Sequence, residues 1–196
     1  GNYMKKNIGF FGGTFDPIHI GHLNLAIEIL EKTKLDKIIF CPAYVSPFKT
    51  KNQPKANCQD RLEMVKIAIK DIKEFEAFDF EIENRGISYT IETLEKIKNE
   101  ASLKLIITED SLSTFHQWKD YKNILQIADL LVGVKNEFLN EFKSENFTLN
   151  SKNFVQTNIF EISSTYIRER LKNRVYSAHL MPKEVLDYIY KRELYL

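Results

Sequence analysis

The chain has 196 residues, 43% of them hydrophobic, and its 28 Lys and Arg against 27 Asp and Glu give a formal charge of +1. This length suits one core of ordinary size, and so balanced a charge excludes an overall electrostatic drive toward nucleic acid or an anionic membrane. No apolar run approaches the roughly 20 residues of a membrane span, and Cys41 and Cys58 lack zinc-cluster or disulfide-framework spacing.

These properties predict a soluble, cytoplasmic protein with one domain over residues 4–196. Residues 160–196 form its C-terminal helical part, and residues 1–3 are interpreted as an expression remnant. The sequence leaves the oligomeric state open.

Short apolar runs alternate with helical patterns along the chain. The runs predict strands at 8–11, 37–41, 103–107 and 130–134, with another through Phe75, Phe78 and Phe80. Apolar residues at helical spacing predict helices over 23–33, 62–72 and 91–97, the second with Asn57 as a possible cap. A polar stretch at 136–153 precedes a run at 154–162 that has room for one or two strands, and helices begin at about Ser164 and Pro182.

Repeated strand–helix pairs are typical of an α/β fold. We expect a single doubly wound, Rossmann-like and mostly parallel sheet with helices on both faces. Ligands of such sheets bind at the carboxyl ends of strands where the strand order reverses. A glycine-rich segment follows the first predicted strand and predicts a site there.

That segment is Gly12-Gly13-Thr14-Phe15-Asp16-Pro17, and His19-Ile20-Gly21-His22 follows it. A strand that ends in glycines before a helix start leaves backbone N–H groups for an anion. Two imidazoles three residues apart add donors for charge that develops on a phosphoryl oxygen. The pattern therefore predicts a nucleotide site.

The segment has other interpretations, namely a different nucleotide fold, a turn without a ligand, or a metal site. Neither GxxxxGK[ST] nor GxGxxG fits, so a P-loop ATPase or an ordinary dinucleotide fold is not supported. Alone, the glycines are equally well explained by a tight turn without a ligand. Paired histidines also suggest a metal, but no cluster of further ligands accompanies them in the sequence.

A second group of polar residues lies at 162–168, with the sequence Ile-Ser-Ser-Thr-Tyr-Ile-Arg. Ser163 and Ser164 at a helix start, with Arg168 one turn further on, combine donors suited to polyphosphate oxygens. Simple helix capping is the common explanation of such hydroxyls, and it is favoured in the absence of the histidine motif. Together, the two motifs indicate one phosphate site.

The motifs GGTFDPIHIGH, Ser88-Tyr89-Thr90, Asp110-Ser111-Leu112, Trp118 and ISSTYIR together resemble the bacterial nicotinate mononucleotide adenylyltransferases of the HxGH nucleotidyltransferase superfamily. The resemblance runs from the first strand to the last helix. It implies transfer of AMP from ATP to nicotinate mononucleotide, giving nicotinate adenine dinucleotide and pyrophosphate in NAD synthesis, with Mg²⁺ on the phosphates.

The resemblance also implies site residues. His19 and His22 would contact the ATP phosphates, Arg168 would hold the outer ones, and Asp16 would orient a histidine. Further ATP contacts fall on Gly12, Gly13, Thr14, Phe15, Ser163 and Ser164. Mononucleotide contacts fall on Lys49, Tyr89, Thr90, Asp110 and Trp118, with the main chain near Thr90 taking the nicotinate carboxylate and Trp118 stacking on the pyridine ring.

Three departures from the family pattern bear on affinity. Phe48 stands where the family usually has His, Glu109 replaces a small residue near an anionic ligand, and Ala178-His179 replaces Arg-Tyr. Glu109 would oppose nucleotide binding by like charge if it pointed into the site. Two alternatives stay open: a related adenylyltransferase with another phosphate-ester acceptor such as phosphopantetheine, and a sensor that binds nucleotides without turning them over.

Overall fold

The structure, a computed structural model, describes residues 5–43, 53–79, 90–136, 142–144 and 146–196. The predicted strand position Phe80 and the predicted site residues Lys49 and Tyr89 lie outside these ranges, as do Phe48 and Ser88.

Strands and helices alternate as the sequence predicted. The strands are β1 Lys6–Gly13, β2 Lys37–Pro42, β3 Phe75–Ala77, β4 Ala101–Thr108, β5 Ala128–Val134, β6 Phe142–Lys143, β7 Thr148–Leu149 and β8 Phe154–Gln156. The α-helices are α1 Ile20–Lys32, α2 Cys58–Ile69, α3 Thr90–Ile97, α4 Glu109–Leu112, α5 Tyr121–Ile127, α6 Ser164–Lys172 and α7 Lys183–Lys191, with 3₁₀ turns at Phe115–Gln117 and Ser151–Asn153.

Six strands form one sheet in the order β3-β2-β1-β4-β5-β8. The pairs β1–β4, β4–β5 and β5–β8 are parallel, with Ile8 opposite Leu103 and Ile107 opposite Val132. The chain moves from β1 outward to β3 and then returns to the other side of β1 as β4, so the strand order reverses there. The α/β fold with a doubly wound sheet is thus confirmed, and the predicted site follows the carboxyl end of β1.

The glycine segment differs from its prediction. Gly12 and Gly13 belong to β1 rather than to a tight turn, and no glycine among the described residues has a positive φ. The reason for glycine is space, because a Cβ at Gly12 would lie 3.0 Å from the ring of Phe10 and one at Gly13 would lie 3.3 Å from the ring of Phe15. It is Phe15 that turns the chain, with φ 51° in the left-handed region.

Other differences are short elements. The polar stretch contains the small antiparallel hairpin β6–β7, and residues 154–162 hold a single strand, β8. Helices α4 and α5 and the 3₁₀ turns were not predicted, because elements of three to seven residues are too short to show a clear hydrophobic period.

Asn57 caps α2 as expected, since its side chain accepts the N–H of Asp60 at 2.8 Å.

The contacts group the chain into two compact units, each assembled from three stretches. The first unit comprises residues 1–12, 25–39 and 89–159, and the second comprises 13–24, 40–88 and 160–196. The expected single domain over 4–196 therefore stays a prediction. No helix within the described ranges is both long and apolar enough to cross a membrane.

Each unit has a buried apolar interior. In the first, the strands β4 and β5 are buried along most of their length, as expected for parallel strands covered on both faces. In the second, helices α2, α6 and α7 contribute the buried residues Met64, Val65, Ile167, Leu171, Val185 and Ile189. The candidate phosphate residues, apart from Gly12, all belong to this second unit.

Candidate active site

His19 and His22 meet at the start of α1. Their ring centroids are 3.8 Å apart, and each ring accepts a main-chain hydrogen bond through Nδ1: His19 from the N–H of Gly21 at 3.0 Å, and His22 from the N–H of His19 at 3.1 Å. A neutral imidazole that accepts at Nδ1 carries its proton on Nε2. Both rings therefore present an Nε2–H donor.

This arrangement changes the physical basis of the predicted anion site. The N–H groups of His19 and Gly21 are taken by imidazoles, and the N–H of Ile20 donates to the carbonyl of Leu180 at 2.9 Å. These main-chain donors at the helix start are thus occupied within the protein. The prediction that this segment donates to a phosphate therefore depends on the side chains of the histidines rather than on these main-chain groups.

The environment keeps both rings neutral. Burial lowers the pKa of His19, which is 4% exposed, to about 4. Desolvation lowers the pKa of His22 well below its usual value, and the nearby His19 ring adds to this. Because both groups are neutral near pH 7, they act as hydrogen-bond donors without carrying a full charge.

Gly21 and Phe15 hold the histidine pair in place. A Cβ at Gly21 would lie 2.8 Å from Cε1 of His19 and 2.9 Å from its Nδ1, so a side chain there would displace the ring. The ring of Phe15 contacts His22 edge-on, with centroids 5.0 Å apart. Close approach of the main chain to the imidazole explains the glycine between the two histidines.

Asp16, three residues before His19 in the chain, is buried and organises a different set of groups. Its Oδ1 accepts the N–H of Ala56 at 3.0 Å and the hydroxyl of Tyr195 at 2.7 Å, and its Oδ2 accepts the N–H of Lys55 at 2.8 Å. The expected bond from Asp16 to a histidine is not among the hydrogen bonds of the described residues. Instead, the carboxylate ties the loop before α1 to residues 55–56.

Arg168 is brought to the same loop. Its Nη1 donates to the carbonyl of Asp16 at 2.9 Å and lies 3.6 Å from Oδ2 of Asp16, while Nη2 donates to Oγ1 of Thr165 at 3.2 Å. Asp16 precedes His19 by three residues. The fold thus joins the two ends of the chain at the predicted phosphate site.

The two serines serve the protein's own structure. Ser163 caps α6, since its Oγ accepts the N–H of Tyr166 at 3.1 Å, and the hydroxyl of Ser164 donates to the carbonyl of Pro17 at 3.0 Å. Ser163 therefore matches the capping interpretation. Ser164 fastens the start of α6 to the histidine loop.

Arg61 is a site-forming residue that the sequence analysis missed. It is 1% exposed and donates to the carbonyls of Thr14 at 2.8 Å, Ala43 at 2.5 Å and Ala56 at 3.1 Å. These bonds use main-chain acceptors around the loop, so the guanidinium supports its shape. A charged residue among the apolar positions of α2 was the only signal for it in the sequence.

The predicted mononucleotide residues in the described ranges belong to the first unit. Thr90 is the first residue of α3, Asp110 is exposed in α4, and Trp118 packs against Phe115 with ring centroids 5.1 Å apart. Gly12, which is predicted to contact ATP, is the last residue of the first stretch of this unit. Glu109 is exposed in the first turn of α4, which Thr108 caps.

The acidic, histidine and cysteine side chains bear on a protein-held metal site. The described residues contain no group of three or more His, Cys, Asp and Glu side chains placed to hold a metal ion.

Comparisons with known proteins agree with the motifs. The family model described as cytidylyltransferase-like matches residues 10–170. A protein of Methylacidiphilum infernorum named probable nicotinate-nucleotide adenylyltransferase is 38% identical, over 98% of this chain and 96% of that protein. One of the same name from Clostridium botulinum is 39% identical, over 97% and 98%.

Solved structures share the fold. The Plasmodium falciparum nicotinic acid mononucleotide adenylyltransferase complexed with NaAD superposes with a TM-score of 0.69 at 17% identity, over 97% of both chains. The same enzyme complexed with APC gives 0.70 at 16% identity, again over 97% of both. From its sequence relatives over nearly their full length, the chain belongs to the nicotinate-nucleotide adenylyltransferase family, within the cytidylyltransferase-like group.

Proposed function

We propose that the protein transfers AMP from ATP to nicotinate mononucleotide, giving nicotinate adenine dinucleotide and pyrophosphate. The observation that carries the proposal is the hydrogen bond from Arg168 to the main-chain carbonyl of Asp16, three residues before the first of two neutral imidazoles with Nε2–H donors. These groups match the residues that the family resemblance assigns to the ATP phosphates. Family membership supplies the reaction.

The chemistry needs positioning more than proton transfer. The mononucleotide phosphate attacks the α-phosphorus of ATP in line, the bond to the β-phosphate oxygen breaks, and pyrophosphate leaves. The Nε2–H groups of His19 and His22 donate to oxygens on which negative charge grows. Arg168 holds the outer phosphates, and no residue has to act as a strong base.

Mononucleotide binding falls to the residues assigned by resemblance. We place the pyridine ring against Trp118, the nicotinate carboxylate at the main chain near Tyr89 and Thr90, the ribose near Asp110, and a phosphate near Lys49. Trp118 already packs against Phe115 with the two rings tilted by 56°, which would restrain the indole for stacking.

A divalent cation, Mg²⁺, belongs to the proposal as a companion of ATP. Mg²⁺ in nucleotide enzymes keeps several waters and is held largely by substrate phosphates, which fits a site without a cluster of protein ligands among the described residues. It neutralises phosphate charge when bound.

A cytoplasmic location of the protein is proposed together with this function.

Glu109 does not rule the reaction out. Its side chain is exposed at a helix start, where solvent screens the carboxylate and the first turn favours a negative charge. We therefore expect a modest effect of Glu109 on affinity rather than loss of nucleotide binding.

One assay tests the proposal. The protein is incubated with ATP, Mg²⁺ and, in separate reactions, nicotinate mononucleotide, nicotinamide mononucleotide or phosphopantetheine, while pyrophosphate and the adenylylated product are followed. We expect stoichiometric pyrophosphate and nicotinate adenine dinucleotide, with the nicotinate substrate preferred. ATP binding without pyrophosphate release would support a sensor, and turnover only with phosphopantetheine would support the other acceptor class; either result overturns the proposal.

A further inference from the structure

Tyr195 reaches the phosphate site from beyond the last helix. It lies four residues after α7 ends at Lys191, and its hydroxyl donates to Oδ1 of Asp16 at 2.7 Å. Burial and the neighbouring Asp16 carboxylate raise the pKa of Tyr195, so the hydroxyl keeps its proton and stays a donor. Nothing in the proposed reaction has used this residue.

Its partner Asp16 is the group around which the site is assembled. The carboxylate is 4% exposed, and three donors are within hydrogen-bond distance: the N–H groups of Lys55 and Ala56 and the hydroxyl of Tyr195. Tyr195 is the single side-chain donor of these three. A buried carboxylate depends on such donors to offset its lost hydration.

The same carboxylate competes for Arg168. Nη1 of Arg168 bonds the main-chain carbonyl of Asp16 at 2.9 Å but stays 3.6 Å from Oδ2, beyond a good hydrogen bond. If Asp16 lost the Tyr195 donor, its negative charge would be less compensated and the carboxylate freer to turn. Arg168 would then pair more closely with Asp16, at the expense of an incoming phosphate.

We propose that Tyr195 is a positioning residue for ATP, which acts by holding the Asp16 carboxylate so that Arg168 stays available to the outer phosphates. This inference rests on the proposed function, because it takes ATP as the ligand of Arg168. Tyr195 itself touches no substrate in this proposal.

The chain offers a matched control for its test. The hydroxyl of Tyr188 in α7 donates to Oδ1 of Asp60 at 2.6 Å, and Asp60 is also 4% exposed. Tyr188→Phe therefore removes a tyrosine–carboxylate bond of the same chemistry, in the same unit, without touching Asp16. Any general loosening of the second unit affects both variants.

The experiment compares Tyr195→Phe with Tyr188→Phe and the unaltered protein in steady-state kinetics. Because only part of the effect of losing a hydrogen bond to the charged Asp16 reaches Arg168, we expect Tyr195→Phe to raise KM for ATP about 5- to 20-fold. KM for nicotinate mononucleotide stays within about twofold and kcat within about threefold. Tyr188→Phe leaves all three within about twofold. Equal effects of the two variants, or no change in KM for ATP, would overturn the proposal.

A double variant tests the route through Arg168. If Tyr195 acts on ATP through that guanidinium, Tyr195→Phe has little further effect on ATP affinity in an Arg168→Ala background. Additive losses would contradict the mechanism. Circular dichroism and thermal unfolding of each variant show whether the fold is retained.

Direct ATP titration separates this inference from the proposed reaction. If the unaltered protein binds ATP but forms no dinucleotide, the reaction is wrong, and the ATP dissociation constants of the two phenylalanine variants still decide the role of Tyr195. If the unaltered protein does not bind ATP, the role of Tyr195 is overturned along with the reaction.

Discussion

Nδ1 of His22 accepts the main-chain N–H of His19 at 3.1 Å, so the side chain of the second histidine holds the main chain of the first at the start of α1. This bond fixes the orientation of the ring and also its tautomer, with the proton on Nε2. The spacing of three residues between the histidines is what allows it. The proposed chemical role of the two histidines and their structural role are therefore linked.

Loss of the His22 ring should slow the reaction sharply. Removing one donor aimed at developing charge typically costs about 10²–10³ in rate, so we expect His22→Ala to lower kcat by that factor while the fold survives. Steady-state kinetics of dinucleotide formation measures this. His179→Ala is the control, since His179 is exposed and stacks on Tyr176 instead. Turnover equal to that of the unaltered protein would remove His22 from the mechanism.

Arg168→Lys should weaken ATP binding. Lysine keeps the charge but lacks the planar guanidinium that donates to both the Asp16 carbonyl and Thr165. Its ammonium group is therefore poorly positioned for the phosphates. We expect KM for ATP to rise about tenfold or more, and KM for the mononucleotide to change little. Arg174→Lys, at an exposed position after α6, serves as the matched control. An unchanged KM for ATP would show that Arg168 does not hold the triphosphate.

Gly21→Ala should separate stability from activity. Alanine favours a helix over glycine by about 1 kcal/mol, but its Cβ would lie 2.8 Å from Cε1 of His19. The two effects oppose each other in the free energy of unfolding, whereas kcat responds only to the displacement of the ring. We expect a Tm shift of only a few degrees together with a fall of about tenfold or more in kcat. Full activity would mean that the position of the His19 ring is not critical.

Acid should destabilise the protein through His19. Its pKa is about 4 in the folded state and 6.5 ordinarily, so between these values the unfolded state binds more protons. The contribution of His19 to the free energy of unfolding is therefore fully present above about pH 6.5. It is lost as pH falls toward 4, and the loss is at most about 3 kcal/mol. His22, whose pKa is also lowered, acts in the same direction.

Urea unfolding between pH 7.5 and 4.5 measures this dependence. In His19→Asn the amide oxygen can accept from Gly21 but does not titrate, so we expect a shallower fall in the free energy of unfolding than in the unaltered protein. His179→Asn, at an exposed position, should keep the original slope. The prediction is contradicted if His19→Asn leaves the pH dependence unchanged.

The sequence predicted the sheet well because buried strands and helix starts are local signals, while the phosphate role of the two motifs stays a prediction. Buried runs such as those in β4 and β5 are apolar whatever their neighbours, and Asn57 identifies a helix start by its own side chain. It failed for Gly12 and Gly13, which it interpreted as a turn. Their role depends on the rings of Phe10 and Phe15, whose positions the local pattern does not specify.

What the sequence alone determined is the order of strands and helices and the family, and it predicts His19, His22 and Arg168 as phosphate donors. Only the tertiary structure decided how those donors are held: imidazoles take the main-chain N–H groups of the helix start, and the carbonyl of Asp16 anchors Arg168. It also revealed Arg61 and Tyr195, which contact the loop across 47 and 179 residues of chain. The physical reason is that a hydrogen bond requires two groups at a set distance and angle, and for residues so far apart in sequence the folded chain alone sets both.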